Sequence, residues 1–482
     1  MEGLLISGIV DGGDIALATD FYELTMAAAY YYRYFNRLAD KATTDSNRNE
    51  KGVFEMFVRK LPRNRSYLVA AGLEQVLYFL MNVRFNEEQL SYLQSLEVFK
   101  DVGEDFFEYL RNFKFTGTIW AVPEGTILFP NEPLIRVEAP MIEAQIVETY
   151  LLSMMNFQSL IATKASRIVT AAKEKSIIEF GSRRAHGPQA ALLAARASYI
   201  AGCIGTSNAL AGYKLGIPIF GTMAHSFVMS FEKEVEAFKE FSKVFPSGYL
   251  LVDTYDSIAA IKKIIKSGIN TAGIRLDSGD LYSLSLEARR VLNDASGGAY
   301  VNTKIMASGD LNEYLIHDLL NRGALIDSFG VGTELSTSRD DPAMNGVYKL
   351  VAVKVPSSLL DGNNEERVDE RIFYKLKTSP AKKTYPGPKQ IYRILENGLI
   401  KSDFIALENE EKLPVDSVPL LQKVLDKGIL SKMPSIKDVQ RFHLNQIKTL
   451  PPKFLDLDFV PESFPVFYSK QLQARIREFK PQ

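Results

Sequence analysis

The sequence is short of the residues that most often build disulfides, metal clusters and nucleophilic dyads. It has one cysteine, Cys203, and four histidines in 482 residues. A single cysteine excludes an internal disulfide and any metal cluster built from several thiolates, and it fits a reducing compartment. The sequence also lacks a Gly-x-Ser-x-Gly elbow and a His-Glu-x-x-His motif. Acyl transfer through a serine elbow and zinc-dependent hydrolysis therefore lack support.

A charge excess and long apolar runs are missing as well. The 57 basic residues nearly balance the 58 acidic ones, which predicts neither a nucleic-acid binder nor a polybasic membrane anchor. No apolar run approaches the roughly 20 residues that cross a bilayer. The first twenty residues contain Glu2, Asp11 and Asp14 but no basic residue, which argues against a secretory or mitochondrial presequence. We therefore expect a soluble cytosolic protein with no nucleic-acid or membrane partner.

The N-terminal part of the sequence mixes helical and extended patterns. Residues 20–36 are aromatic-rich and predict a helix, and the polar stretch 37–52 predicts a surface loop. Several amphipathic helices are expected over 66–113, one of them over 67–82. Short apolar runs between Pro-Glu-Gly and Asn-Glu-Pro turns predict a small β unit over 115–140.

After that β unit, helices come first and a strand–helix alternation follows. Two helices are expected, one from about Glu143 and one from about Ala162. From Ser176 onward, apolar runs lead into polar or glycine-rich tips, and a helical stretch follows most of them. The runs are SIIEF, IPIFG, YLLVDTY, AGIRL, KIMAS and DSFGV. Alternation at this spacing predicts right-handed crossovers and a parallel sheet.

We interpret the six units as an irregular, TIM-like β/α barrel, and hence assign the chain to the α/β class. A Rossmann arrangement is disfavoured because no Gly-x-Gly-x-x-Gly follows the first strand. The expected domains are an N-terminal α+β domain over 1–145, the barrel with the active site over 146–355, and a small C-terminal region over 356–482. We expect the last of these to pack back on the N-terminal domain. A charged surface loop is expected directly after Pro356.

Polar residues follow the expected carboxyl ends of the barrel strands, where the loops of such a fold build the active site. One polar tip carries little information, and a lone histidine is more often packed than catalytic. Six successive tips rich in Arg, Asp, His and Gly favour a functional rim. The residues are Arg183, Arg184, His186, Thr222, His225, Asp253, Asp256, Arg275, Asp277, Asp280, Ser308, Gly309, Asp310, Gly330, Gly332 and Thr333.

The charge distribution around these tips is uneven. No Asp or Glu occurs from Gly181 to Phe231, whereas four basic residues fall inside this stretch. Part of the gap is simply an apolar helix; the alternative is a mouth for anions, because guanidinium groups pair bidentately with carboxylate or phosphate. The glycines of SGD and GVGT would let backbone N–H groups approach phosphate oxygens. Aspartates of neighbouring tips could hold Mg²⁺ beside a pyrophosphate, but the pattern names no metal ligand.

Several segments together form a recognisable pattern. TDFYELTM, EFGSRRAHGP, GTMAHSFV, IRLDSGDL, FGVGTEL and GVYKLVAV resemble the nicotinate phosphoribosyltransferase family, and the basic stretch KKTYPGPKQIYR fits the same family. The resemblance runs in order from about Thr19 to the C-terminal region, so it covers nearly the whole chain. Several motifs in the right order are far more specific than any one of them. The 37–52 loop is longer than the family pattern, but it touches no motif.

The resemblance implies an activity. Nicotinate and phosphoribosyl pyrophosphate would become nicotinate mononucleotide and pyrophosphate, coupled to hydrolysis of ATP as co-substrate and assisted by Mg²⁺. This reaction is the first step of NAD synthesis from nicotinate. The resemblance also implies an irregular β/α barrel beside an N-terminal domain, and a homodimer with shared active sites.

The resemblance further implies residue roles, motif by motif. His225 would be the histidine that ATP phosphorylates, and a nearby carboxylate such as Asp253 could fix its tautomer. Tyr22 would stack on the pyridine ring from the partner subunit. Thr222, Arg275 and Thr333 would form the nicotinate pocket, and Phe180 and Arg183 would contact the ring and a phosphate. Asp277 would lie near the ribose and Mg²⁺. Gly309, Asp310 and Gly332 would line the phosphoribosyl site.

Three rival interpretations stay open. A nicotinamide-using relative shares the barrel and the histidine, but it places an aspartate after the FGxR motif, where this chain has Thr206 and Ser207. A catalytically silent nucleotide-sensing protein would keep the phosphate sites, although an intact His225 and a complete set of tips argue against it. A quinolinate phosphoribosyltransferase would lack the ATP-accepting histidine and need extra basic residues. We therefore expect nicotinate to be preferred over nicotinamide.

Overall fold

The computed structural model describes residues 15–39, 50–356, 370–377, 384–410, 413–457 and 464–479. The chain divides into unit 1 (Met1–Ser159, Ala343–Phe454 and Phe459–Gln482) and unit 2 (Leu160–Pro342 and Leu455–Asp458). Most of the loop predicted over 37–52, and the charged loop predicted after Pro356, fall on residues 40–49 and 357–369, which lie outside the described residues. The described ends of the first prediction are wrong, because residues 37–39 are helical and residues 51–52 belong to a strand. The domain limits predicted near residues 145 and 355 stay predictions.

Helices occur in both units, and none of those described is both long enough and apolar enough to cross a membrane. The α-helices are α1 (Phe21–Ala39), α2 (Leu73–Asn82), α3 (Glu87–Ser95), α4 (Glu104–Arg111), α5 (Met141–Ile146), α6 (Glu148–Ala171), α7 (Pro188–Ile200), α8 (Ala209–Leu215), α9 (His225–Met229), α10 (Glu234–Val244), α11 (Ser257–Lys266), α12 (Leu281–Asn293), α13 (Glu313–Asn321), α14 (Thr333–Ser336), α15 (Ile436–Thr449) and α16 (Lys470–Glu478). Short 3₁₀ helices lie at Ile15–Leu17, Glu97–Phe99, Ser296–Gly298 and Pro452–Phe454.

The strands form separate sheets in the two units. They are β1 (Lys51–Val58), β2 (Leu68–Val69), β3 (Thr118–Ala121), β4 (Ile127–Leu128), β5 (Pro133–Pro140), β6 (Ser176–Glu179), β7 (Gly205–Thr206), β8 (Tyr249–Leu251), β9 (Gly273–Leu276), β10 (Lys304–Ser308), β11 (Ser328–Val331), β12 (Gly346–Pro356), β13 (Glu370–Tyr374), β14 (Lys389–Glu396), β15 (Leu399–Leu407), β16 (Ser417–Pro419), β17 (Gln422–Asp426), β18 (Ile429–Leu430) and β19 (Val466–Tyr468).

Unit 1 is built on an antiparallel sheet that joins distant parts of the chain. Its strand order is β13-β12-β1-β5-β3-β17-β18. Phe54, in the middle of β1, lies opposite Leu350 of β12 and Val137 of β5. Because β3 pairs with both β5 and β17, the small β unit predicted over 115–140 is part of a larger sheet that includes C-terminal strands.

A second sheet of unit 1 has the order β16-β14-β15-β19. Its hairpin turns at Asn397 and Gly398, whose φ angles are 52° and 79°. Two successive positive φ angles are what a type I′ turn requires, and Asn-Gly is the dipeptide that adopts them most readily. The local sequence therefore dictates where β14 ends and β15 begins.

Two helix predictions have wrong limits. The helix predicted over 67–82 begins only at Leu73, because Leu68 and Val69 pair with β4 and Gly72 has a φ of 111° that a right-handed helix excludes. The helix predicted to start near Ala162 is part of the longer α6. No proline or glycine interrupts the sequence of α6, so its hydrogen bonds continue past that position.

Unit 2 is built on a parallel sheet with the order β7-β6-β11-β10-β9-β8. Met306 of β10 pairs in parallel with Ser328 of β11 and with Arg275 of β9. All four residues of β11 are buried, as expected for a parallel strand covered on both faces. The α/β class and the parallel sheet are confirmed, whereas closure of this sheet into a barrel stays a prediction.

The strand predicted over 217–221 is absent from the described strands. Ile219 makes only an isolated parallel bridge to Thr206. Pro218 has no N–H to donate to a ladder, although its carbonyl accepts from the Thr206 N–H at 3.0 Å. The segment nevertheless runs along the β7 edge of the sheet and leads directly into α9.

Candidate active site

A cavity of about 460 Å³ opens at the carboxyl ends of the unit 2 strands. This location follows from the topology, because the carboxyl ends of parallel strands meet at one edge of a sheet. The predicted site residues that line the cavity are Phe180, Arg183, Thr222, Arg275, Asp277, Gly309, Asp310, Gly332 and Thr333. Ser182, Ser207 and Ser308 lie in the same wall.

Arg275 of β9 is held by three side chains at this cavity. Its Nε donates to Ser308 Oγ at 2.7 Å, its Nη1 to Thr222 Oγ1 at 2.7 Å, and its Nη2 to Asp277 Oδ1 at 2.5 Å. The guanidinium carbon also lies 5.9 Å from the centre of the Phe180 ring. A guanidinium has five N–H groups, so these three bonds within the described residues leave two N–H groups for a ligand.

Asp277 is the acidic centre of the same network. Its Oδ1 accepts from Ser308 Oγ at 2.5 Å as well as from Arg275. Burial acts to raise the pKa of this carboxyl, but the Ser308 hydrogen bond, the Arg275 guanidinium and His225 together hold the pKa below its usual range. Asp277 is therefore a carboxylate at neutral pH.

His225 is the first residue of α9 and lies beside Asp277, with 42% of its side chain exposed. Its Nδ1 lies 3.1 Å from Thr254 Oγ1. Its Nε2 faces Asp277 Oδ2 at 3.7 Å and Asp253 Oδ1 at 4.0 Å. The group at hydrogen-bonding distance from the ring is therefore Thr254, which can fix the tautomer, and the same role for Asp253 stays a prediction.

Asp253 is a buried carboxylate directly after β8, with 3% of its side chain exposed. Its Oδ2 accepts from Ser278 Oγ at 2.6 Å and from the Asp277 N–H at 3.3 Å. Its Oδ1 has no hydrogen-bond partner among the described residues. One ligand atom from each of His225, Asp253 and Asp277 lies within 4.8 Å of the others. Two carboxylates, one with an unsatisfied oxygen, suit a hard divalent cation such as Mg²⁺.

Two glycines shape the backbone of the cavity. Gly309 has a φ of 92°, and a Cβ there would collide with the Asp277 carbonyl oxygen. A Cβ at Gly330 would lie 2.5 Å from the Phe180 ring, so this glycine leaves the ring its space. Both positions therefore tolerate no side chain.

Glu179, at the end of β6, has a role that the sequence pattern does not reveal. Its fully buried carboxylate accepts from the Gly181 N–H and, at 2.5 Å, from Thr206 Oγ1. Burial raises its pKa, although both hydrogen bonds act against this change. Glu179 therefore ties the segment that carries Phe180 to the end of β7. The feature of the sequence that could have indicated this role is an acidic residue at the end of an apolar strand.

Some residues of the predicted rim have a structural role instead. Asp256 accepts from the Ala259 N–H at 2.7 Å and caps α11. Asp280 accepts from the N–H groups of Tyr282 and Ser283 and caps α12. An aspartate before a helix is the usual capping residue, which explains why both occur at strand–helix junctions.

Tyr22 lies in unit 1, on α1, with 46% of its surface exposed. Burial and the nearby Glu148 carboxylate raise its pKa. The next residue, Glu23, accepts from the Thr149 N–H at 2.8 Å and from Thr149 Oγ1 at 2.5 Å. These bonds hold the start of α1, and the predicted contact of Tyr22 with a pyridine ring stays a prediction.

Comparison with known protein families matches both parts of the chain. The profile of the nicotinate phosphoribosyltransferase (NAPRTase) N-terminal domain matches residues 17–156. The profile of the nicotinate phosphoribosyltransferase (NAPRTase) family matches residues 175–371, which include every predicted site residue of unit 2.

Individual relatives match over nearly their whole length. A nicotinate phosphoribosyltransferase of Mycobacterium tuberculosis is 41% identical, over 96% of this chain and 94% of its own. The nicotinate phosphoribosyltransferase of Bacillus subtilis is 38% identical, over 97% of this chain and 96% of its own. The crystal structure of human nicotinic acid phosphoribosyltransferase superimposes with a TM-score of 0.78 at 27% identity, covering 95% of this chain and 99% of that one.

Proposed function

The chain belongs to the nicotinate phosphoribosyltransferase family, and from that premise we propose that the residues of the unit 2 cavity catalyse the reaction of nicotinate with phosphoribosyl pyrophosphate. The products are nicotinate mononucleotide and pyrophosphate, in the first step of NAD synthesis from nicotinate. The observation that carries this proposal is the fixed Arg275 guanidinium, which keeps N–H groups for an anionic ligand.

The same residues account for a preference for the acid over the amide. Arg275 donates to the nicotinate carboxylate, and the hydroxyls of Thr222 and Thr333 complete its hydrogen bonding. Ser207 lines the cavity in the segment where amide-using relatives have an aspartate. An aspartate about 4 Å from the substrate carboxylate would cost on the order of 4 kcal/mol at an effective dielectric of 20. Its absence therefore favours nicotinate.

The glycosyl step needs no nucleophile from the protein. The pyridine nitrogen bonds to C1 of the ribose while the C1–O bond to pyrophosphate breaks and the oxygen keeps the electron pair. The task of the site is to orient the two substrates and to stabilise the departing charge. We assign the phosphate contacts to Arg183 and to the backbone of the loops that carry Gly309, Asp310 and Gly332, which border the cavity.

His225 is the proposed acceptor of the γ-phosphoryl group of ATP. A bond forms between Nε2 and phosphorus, the bond from phosphorus to the bridging oxygen breaks, and ADP leaves; water later hydrolyses the phosphohistidine. If Thr254 accepts from Nδ1–H, the lone pair resides on the exposed Nε2, as the reaction requires.

Asp253 and Asp277 are the residues that would hold Mg²⁺, since both face the same side of His225. A bound Mg²⁺ would offset the repulsion between these carboxylates and the phosphates of the substrates. Without such compensation, two carboxylates within 4.0 Å of Nε2 oppose the approach of an anionic phosphoryl donor.

We further propose a cytosolic homodimer in which Tyr22 of one subunit stacks on the pyridine ring in its partner's cavity. The half-exposed ring of Tyr22 and the low cysteine count support these two assignments. Mixing Tyr22→Ala chains with Arg275→Ala chains should restore activity through one intact hybrid site. Proven subunit exchange without any recovery of activity would contradict a shared site.

The function is tested with the purified chain, nicotinate, phosphoribosyl pyrophosphate and Mg²⁺, with and without ATP. We expect nicotinate mononucleotide, and faster turnover with ATP. With γ-labelled ATP, label should appear on the unmodified chain and on His317→Ala but not on His225→Ala. Residual ATP-independent transfer in His225→Ala is expected, because the glycosyl step does not use the imidazole. No nucleotide product under any condition would refute the function, and a labelled His225→Ala chain would refute the acceptor.

A further inference from the structure

A buried lysine lies behind the rim of unit 2. Lys164, on α6, has 1% of its side chain exposed, and its Nζ lies 2.6 Å from Glu313 Oε2 and 3.1 Å from Asp340 Oδ1. Glu334 Oε2 is more distant, at 3.9 Å. Arg167, on the same helix, approaches Glu313 Oε1 at 3.5 Å. Three carboxylates therefore surround one ammonium group in the interior of the unit.

These carboxylates come from two different loops of the cavity. Glu313 is the first residue of α13 and follows the loop that contains Gly309 and Asp310. Glu334 belongs to α14 directly after Thr333, and Asp340 lies just beyond the end of the same short helix. Lys164 is therefore the common ion-pair partner of the loop after β10 and the loop after β11.

Neither loop is held in place by regular secondary structure alone. The helix α14 has four residues, too few to be stable through its own hydrogen bonds. Gly309 and Asp310 have φ angles of 92° and 45°. Aspartate adopts the left-handed conformation more readily than most residues other than glycine, but this conformation still persists mainly where the surrounding structure supports it. Both loops need an anchor outside themselves, and Lys164 is placed to supply it.

We propose that Lys164 is a positioning residue that holds these two loops at the spacing that phosphoribosyl pyrophosphate requires, without contacting the substrate. The inference rests on the proposed function, because that function assigns the phosphoribosyl contacts to Gly309, Asp310 and Gly332. Removal of the ammonium takes away the cation that pairs with carboxylates of both loops, and the longer ion pairs of Glu313 with Arg167 and of Glu334 with Arg339 do not link the two loops, so the loops move apart.

The first test is Lys164→Met, which keeps the length of the side chain and removes its charge. A displacement of about 1 Å in groups that orient a substrate lowers kcat/KM about 100-fold. We expect a loss of this size for phosphoribosyl pyrophosphate, with its KM raised about tenfold. The KM for nicotinate should change less, because of its three proposed contacts only Thr333 lies on one of these loops, whereas Arg275 and Thr222 lie on other segments. Lys164→Arg restores the charge, so its KM for phosphoribosyl pyrophosphate should lie between that of Lys164→Met and that of the unmodified chain.

The matched control is Lys389→Met in unit 1. Lys389 Nζ lies 2.7 Å from Glu55 Oε2 with side chains 4% and 0% exposed, against 2.6 Å and 1% and 0% for Lys164 and Glu313. Both variants should lower the melting temperature. Only Lys164→Met should also raise the KM for phosphoribosyl pyrophosphate, which a purely structural role would not do.

If Lys164→Met fails to fold, Asp340→Asn decides the matter, because Asp340 is 21% exposed and its change is milder. The KM for phosphoribosyl pyrophosphate should then rise by a larger factor than the KM for nicotinate. An unmoved KM in the folded variants, or an equal change in Lys389→Met, would overturn the proposal. The dissociation constant of phosphoribosyl pyrophosphate, measured by calorimetry, gives the same comparison without turnover. If the unmodified chain forms no product, the proposed function fails. The dissociation constants measured by calorimetry still decide whether Lys164 has the positioning role.

Discussion

Unit 1 and unit 2 use the same charged side chains in opposite ways. In unit 1, Arg393 binds Asp403 through two nitrogens, at 2.9 and 2.6 Å, and both side chains are at most 4% exposed. In unit 2, Arg275 binds Asp277 and two hydroxyls but borders an open cavity. His225, which lies beside Asp277, exposes 42% of its side chain.

The two units differ in how many N–H groups of a cation remain available after its hydrogen bonds within the protein are counted. Lys389 of unit 1 pairs with Glu55 and also donates to the carbonyl oxygens of Tyr385 and Gly387, so its three N–H groups are used. Arg275 keeps N–H groups that face a cavity. Saturated, buried pairs hold a fold together, whereas a fixed and incompletely saturated cation can bind an anion. Lys164 shares the burial of the unit 1 pairs but lies behind the rim.

The largest effect expected from this comparison is on stability and belongs to unit 1. Asp403→Ala removes the carboxylate that binds Arg393 through two nitrogens and leaves Glu132 as the remaining acid of this buried cluster, so the free energy of unfolding should fall by about 3–5 kcal/mol. Denaturant titration measures the loss. The KM values of the folded fraction should not change. Asp426→Ala removes the exposed pair with Lys423 and a hydrogen bond from Thr118 Oγ1, and should cost much less. Equal losses in both variants would contradict the distinction.

A second effect on unit 1 depends on pH. Burial lowers the pKa of His443 to about 4, against the hydrogen bond between its Nδ1 and the Gly125 carbonyl. In the unfolded chain the imidazole takes up its proton near pH 6.5, so the unfolded state binds more protons between pH 6.5 and 4. Stability should fall by up to about 3 kcal/mol as pH drops through this window. His443→Gln should flatten that part of the profile, and an unchanged profile would contradict the assignment.

The third effect is on catalysis and belongs to unit 2. Arg275→Ala should lower kcat/KM for nicotinate about 100-fold, since it removes the guanidinium that pairs with the nicotinate carboxylate. This factor corresponds to about 2.7 kcal/mol of transition-state stabilisation. The melting temperature should fall less than in Asp403→Ala, because Asp277 is 24% exposed and keeps its hydrogen bond from Ser308. Arg275→Lys should not restore the rate, because an ammonium cannot replace the planar fork. Full activity in Arg275→Lys would show that charge alone suffices.

The smallest effect tests how far the Arg275 network is preorganised. Ser308→Ala removes the hydroxyl that accepts from Arg275 and donates to Asp277. Of these two bonds, the one from Arg275 directly orients the cation, and the loss of one hydrogen bond to a charged group corresponds to about a tenfold loss in kcat/KM. Ser308→Thr keeps a hydroxyl and should retain most of the rate. Wild-type kinetics in Ser308→Ala would mean that Asp277 and Thr222 suffice to orient Arg275.

The sequence predicts the parallel sheet of unit 2 and the residues at its strand ends, because both follow from local periodicity and from the topology that periodicity implies. Thr254 and Glu179 escape this reasoning, since their roles depend on which side chain of another segment comes within 3.1 Å or less. Asp256 and Asp280 show the opposite error, because a helix cap and a site residue occupy the same place in a strand–helix junction.

The sheet of unit 1 shows another limit. Strand β17 pairs with β3 across about 300 residues, and no pattern within either strand names its partner. By contrast, the Asn397–Gly398 turn could be predicted, because its φ angles are a property of those two residues. Long-range pairing depends on the whole chain, and local turns depend on a few residues.

The central claim is that the fixed Arg275 cation selects a carboxylate-bearing pyridine. Its most direct test is kcat/KM of the unmodified chain for nicotinate and for nicotinamide, at saturating phosphoribosyl pyrophosphate, Mg²⁺ and ATP. Nicotinamide would offer no anion to the two N–H groups that Arg275 keeps beside its pair with Asp277, so nicotinate should be preferred by at least ~100-fold. Comparable values for the two pyridines would contradict the account.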